Sequence, residues 1–144
     1  MIRLSILCPS IICLLTTYSY SKPTESPLDH YQPHTLKSDN NQAFHYRTAP
    51  PVSIENGQKY PLLIFFHGAG GRGEDNKRQL TDAGGIEAFE KQGVRLKRKS
   101  HIFAGQVPKG ERWVNTGWSL LGHRMPPISD SMKMAFQAID AYTT

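Results

Sequence analysis

The 144-residue sequence carries 17 Lys and Arg against 12 Asp and Glu, a formal charge of +5, and is 38% hydrophobic. That length suits one domain and not two. The apolar fraction suits a packed core and excludes a disordered tail. Positive charge is scattered except at Arg95, Lys97, Arg98 and Lys99. So short a run, without interleaved aromatics, is expected on a solvated helix end or loop and excludes a nucleic-acid-binding stripe.

The first 21 residues have the layout of a secretory signal peptide. Met1-Ile2-Arg3 is a short positive start, Leu4 to Leu15 is largely apolar, and Thr16 to Ser21 is small and polar with two tyrosines. Cleavage is expected ahead of Lys22, with a cut after Ser19 nearly as good. A membrane-crossing helix needs about 20 apolar residues, so no stable membrane insertion is expected once the segment is removed. The mature chain is then expected to be secreted or periplasmic. Ser10-Ile11-Ile12 lacks the small residue that precedes a lipidated cysteine, which argues against an anchor at Cys13. Both cysteines, Cys8 and Cys13, lie in this segment. The mature chain therefore has no disulfide, no redox pair and no cysteine-based metal site. No cofactor and no metal is expected.

Residues 22–42 are polar, with Pro23, Pro27 and Pro33, and read as a linker ahead of a domain over 43–144. Ala43 to Arg47 alternates as a strand does, and 50–58 is a turn. Leu62 to Phe66 is an unbroken apolar run, the pattern of a strand buried on both faces of a parallel sheet. His67 to Gly73 is a glycine loop. Glu74 to Leu80 and Ile86 to Gln92 suggest helices, and His101 to Gly105 another strand. Residues 106–128 read as loop. Ser129 is a good N-cap for a helix on which Met132, Ala135, Phe136, Ile139 and Tyr142 recur at helical spacing. This order is α/β, with a mostly parallel central sheet and flanking helices.

Three readings compete for the glycine loop. Gly68-x-Gly70-x-x-Gly73 matches a dinucleotide fingerprint, which sets a pyrophosphate on a helix N-terminus. The acidic strand end it requires about 20 residues on is missing, since Glu87 and Glu90 lie in a helical stretch. Glu74 and Asp75 would also oppose a phosphate there. In the second reading the glycines merely permit a tight turn. In the third, the backbone N–H groups of Ala69 and Gly70 form an oxyanion hole, while His67, Gly68, Gly71 and Gly73 shape the loop. Acyl transfer places negative charge on a carbonyl oxygen, and one preorganised donor stabilises it by about 3 kcal/mol.

A wider context favours the third reading. The stretch from Tyr60-Pro61 through His67-Gly68-Ala69-Gly70-Gly71-Arg72-Gly73-Glu74-Asp75-Asn76, with Gln79-Leu80, forms one block. Gln106-Val107-Pro108-Lys109-Gly110-Glu111-Arg112-Trp113-Val114, Trp118-Ser119 and His123-Arg124-Met125-Pro126 form a second. Together they resemble the predicted-peptidase, phospholipase/carboxylesterase and polyhydroxybutyrate-depolymerase-like branch of the α/β-hydrolases, over about residues 43–142. One departure is Ala104-Gly105-Gln106, where the branch has Ala-Pro-Gln.

The resemblance implies a serine hydrolase with a Ser-His-Asp triad, acting on a small-molecule or polymer ester or on a peptide bond. It also implies that the serine follows the helix ending near Tyr142. The chain is then expected to supply the oxyanion loop, to hold no triad member and to be inactive alone. Gly117-Trp118-Ser119-Leu120-Leu121-Gly122 has one residue too many for a nucleophile elbow, so Ser119 is expected to be structural. His67 is expected to shape the loop and not to act as the base. Trp113 and Trp118 are expected to pack, and His123 takes no assigned role.

Overall fold

The computed structural model describes residues 26, 28–39, 41–91, 93–117, 121–122 and 125–144. The expected signal segment lies outside them. Four strands form one sheet: β1 (Gln32–Lys37), β2 (Ala43–Ala49), β3 (Leu62–Phe66) and β4 (His101–Gln106), in the order β1-β2-β4-β3. Helices α1 (Arg78–Thr81), α2 (Gly85–Lys91) and α3 (Val94–Lys97) lie between β3 and β4, and α4 (Asp130–Thr143) follows.

The sheet is mixed rather than mostly parallel. β3 and β4 run parallel, as a strand–helix–strand crossover requires, with Leu63 opposite Ile102 and Phe65 opposite Ala104. β2 is antiparallel to both β1 and β4. The edge strand β1 falls inside the stretch expected to be a linker. Its polar alternation suits an edge, where Pro33 is tolerated, and the fully buried Tyr31 just ahead of it anchors the chain to the core.

Because side chains alternate along a strand, the sheet separates two apolar layers. Ile102 and Ala104 face Leu80, Ile86 and Tyr31 on the side of α1 and α2. Phe103 faces Phe44, Met134, Ala135 and Ala138 on the side of α4. The strand buried on both faces is thus β4. β3 was expected in that role, but its Ile64 and Phe66 remain 41% and 40% exposed. Among the described residues β3 has one hydrogen-bonded neighbour, and on the α4 side Phe66 is covered only in part, by the Trp113 ring.

Helix α4 starts where expected. The Ser129 hydroxyl accepts from the Met132 N–H at 3.1 Å, and Asp130 complements the first turn. Its buried stripe is rotated from the expected one: Met134, Ala135 and Ala138 are buried and Phe136 is half-exposed. Small alanines let the helix approach the sheet closely, and the bulky ring turns outward. α1 is only four residues long, because Glu74 to Asn76 form bends rather than a first helical turn.

The basic run is a correction as well. Arg95 is 6% exposed. Its guanidinium donates to the Pro50 carbonyl, lies 2.6 Å from His30 Nε2 and 3.5 Å from Glu90. The Tyr31 hydroxyl donates to the same carboxylate at 2.6 Å. A buried charge persists only when paired and hydrogen-bonded, and these partners tie α2 and α3 to the chain ahead of β1 and just after β2.

Candidate active site: the glycine loop and its cavity

β3 delivers His67 to the start of the loop, where the imidazole is 4% exposed. Its Nδ1 lies 2.6 Å from the Gly68 carbonyl and its Nε2 3.0 Å from the Val107 N–H. A carbonyl only accepts and an amide N–H only donates, so the proton sits on Nδ1. Burial holds the imidazole below its ordinary pKa of 6.5, outweighing the Gly68 bond and the Asp82 charge, and Arg72 adds to the lowering. His67 is therefore a neutral strut between loop and β4. Gly71 lies against its ring, and a Cβ there would come within 2.5 Å of Cγ.

Ala69, Gly70 and Gly71 form a single 3-10 turn closed by the Gly71 N–H on the Gly68 carbonyl at 3.3 Å. The first amides of such a turn, those of Ala69 and Gly70, have no carbonyl within it to bond. The turn is not continued into a helix, and the first helix begins only at Arg78. The dinucleotide reading thus lacks the helix N-terminus it needs.

A buried amide network fixes the far side of the loop. Gln106, at the end of β4 and 1% exposed, donates through Nε2 to the Gly71 carbonyl at 3.1 Å and to Asp75 at 2.8 Å. Its Oε1 accepts from the Asn76 N–H at 2.7 Å. Asn76 takes a left-handed φ of 51°, a conformation Asn tolerates better than most residues. Its side chain reaches the carbonyls of His34 in β1 and Tyr46 in β2, both at 3.2 Å, and accepts from Gln79 at 2.6 Å. Burial pushes the Asp75 carboxyl up. Hydrogen bonds from Gln106 and from the Arg78 and Lys77 amides, with the Arg78 charge, outweigh it and bring the carboxyl to about 2.

Trp113 closes the other flank. Its indole N–H donates to the His67 carbonyl at 3.1 Å, and its ring meets Phe66 edge-on at 4.7 Å. The Ser129 hydroxyl donates to the Trp113 carbonyl at 2.7 Å, and a bridge between Val114 and Ile128 holds the loop ends together. Gly105 makes room for this packing, because a Cβ there would stand 2.9 Å from the Phe44 ring and 3.0 Å from the Trp113 ring. A cavity of about 370 Å³ opens beside the loop, with His67, Gly68, Arg72, Arg112, Trp113 and Val114 among its walls.

Residues from both sequence blocks thus meet around one loop. Ser119, Trp118, His123 and Arg124 lie outside the described residues. Gln106 and Arg112 were quoted only within the matching block, and their contacts with the loop and the cavity had no counterpart in the sequence reading. The available signal was an amide side chain at the end of the strand that pairs with the one feeding the glycines. Among the described residues no cluster of His, Cys, Asp and Glu could hold a metal ion.

No protein-family model matches the sequence, and no curated protein matches it. Among solved structures, the chain is similar to the crystal structure of a thermostable esterase, with a TM-score of 0.66 and 24% identity. The match covers 80% of this chain and 30% of the esterase, so the chain spans under a third of that protein's length. The mixed four-stranded sheet with its flanking helices has the architecture of an α/β-hydrolase.

Proposed function

We propose that this chain supplies the oxyanion-hole portion of a secreted serine hydrolase of the carboxylesterase, phospholipase or depolymerase type, acting on ester bonds. The single observation carrying the reading is the 3-10 turn Ala69–Gly71. It presents the first two amides of a turn beside a cavity, and it is held from below by His67 and from behind by Gln106. Such donors act only if fixed before charge develops. The likeness to an esterase supports the same class. Ala69 is the first donor, Gly70 the second, and the nucleophile, base and acid of the triad are proposed to come from outside these residues.

Two measurements test this. A protein joining this chain to a triad-bearing C-terminal portion is expected to hydrolyse short-chain p-nitrophenyl esters, and Ala69→Pro to lower turnover about 100-fold by deleting one donor. The 144-residue chain alone is expected to take up no fluorophosphonate. Stoichiometric labelling of Ser119 would overturn the triad assignment. The export proposal is tested separately, by mass spectrometry of secreted or periplasmic material, with an N-terminus expected near Lys22 or Tyr20.

A further inference from the structure

We propose that Arg72 and Arg112 make the cavity beside the glycine loop selective for substrates that carry a terminal oxyanion, a carboxylate or a phosphate, on an apolar body. The inference rests on the ester-hydrolase reading, since it takes that cavity as the place where the substrate lies.

Three of the arginines already have partners. Arg47 donates to the Tyr31 and Asn76 carbonyls, Arg78 pairs with Asp75 at 3.2 Å, and Arg95 is held by Pro50, His30 and Glu90. Arg72 is different. It is half-buried in the cavity wall, and among the described residues it has no hydrogen bond or ion pair. Its charge lies near enough to His67 to help lower that imidazole's pKa. Arg112, on the same wall, donates one N–H to the Thr116 carbonyl at 2.7 Å, which fixes the side chain and leaves its other donors available.

Among the described residues no Asp or Glu lines the cavity. The Asp82 carboxylate packs against the glycine loop, where a Cβ on Gly68 would stand 2.9 Å from its Oδ2 and a Cβ on Gly70 would meet its Oδ1, but Asp82 is not among the described cavity walls. A partly desolvated guanidinium without a partner is costly. Its planar fork of donors matches the two oxygens of a carboxylate or phosphate. Trp113, held by His67 and Ser129, and Val114 offer the apolar surface beside it.

Isothermal titration of the 144-residue chain with 4-phenylbutyrate, phenyl phosphate and neutral 4-phenylbutyramide tests the proposal. At least one anion is expected to bind about tenfold or more tightly than the amide, the scale of one charge-assisted hydrogen bond. The tighter anion identifies carboxylate or phosphate as the group recognised. The preference is expected to shrink with added salt and to vanish in Arg72→Met/Arg112→Met, with amide binding retained. Equal affinity for all three ligands, no binding of any, or a preference that survives the double substitution overturns the proposal. Hydrolysis of neutral p-nitrophenyl acetate by the triad-bearing protein reports on the esterase reading alone. If it persists while the anion preference is absent, only the arginine assignment falls.

Discussion

The Val107 N–H donates to His67 Nε2 at 3.0 Å, and this bond decides what the imidazole can be. With Nδ1–H on the Gly68 carbonyl, both ring nitrogens are engaged. A second ring proton would point an N–H at an N–H. His67 therefore works as a neutral spacer joining the first residue of the loop to the residue after β4.

Stability should follow from that protonation state. The folded-state pKa of His67 is lowered below the ordinary 6.5 by burial. Its contribution is fully present above the unfolded value and is lost as pH falls through the folded one, because the unfolded state binds the proton first. Denaturant midpoints measured from neutral to mildly acidic pH are expected to fall in the wild-type chain. They should fall less steeply in His67→Gln, which keeps a donor and an acceptor without titrating. Equal slopes would show that His67 is not strained by a proton.

Gln106→Leu is expected to destabilise the chain by about 2–4 kcal/mol, since buried polar groups left unmatched cost about 1–3 kcal/mol each. The change strands the Asn76 amide and the Gly71 carbonyl together. Urea unfolding gives the number, and a loss under about 0.5 kcal/mol, typical of a surface change, would remove Gln106 from its place behind the loop.

Gly71→Ala places a Cβ 2.5 Å from the His67 ring. Overpacking of this kind costs about 1–3 kcal/mol. Gly122→Ala is the matched control, because among the described residues a Cβ there meets nothing within 4 Å. Melting of the two variants side by side should separate them, and equal melting points would contradict the close approach of loop to ring.

Ser129→Ala removes both the cap of α4 and the bond to the Trp113 carbonyl. Loss of a cap costs about 1 kcal/mol, so the variant should lose at least that much in urea unfolding. Ser129→Asp, which keeps an acceptor for the Met132 amide but cannot donate, should recover the cap alone. Full recovery would mean that the Trp113 bond contributes nothing.

Most of what is legible in the sequence is carried by local signals. Leu62 to Phe66, His101 to Gly105 and the Ser129 cap declare themselves through runs and punctuation a few residues long. What escaped depends on distant partners. The edge strand β1 is mostly polar, with Leu36 its one large apolar residue, and it exists because β2 pairs with it and Tyr31 is buried beside it. Arg95 sits in a basic run that looks solvated, yet its partners come from positions 30, 50 and 90. Around the loop, the glycines were visible as glycines. The reason for Gly105 in place of a proline was not, because the rings it accommodates belong to Phe44 and Trp113.

The place of β4 between β2 and β3 also sets an order of events during folding. β1 and β2 are close in sequence and pair antiparallel, so they can zip as a hairpin, on the order of 1–10 μs. β4 can dock on β2 only after the stretch 50–100 has been drawn together, at a larger loop-closure entropy. The amides of β4 should therefore gain exchange protection after those of β1 and β2. The glycine turn hangs from Val107 and Gln106 at the end of β4, so its amides should take up their final aim among the last.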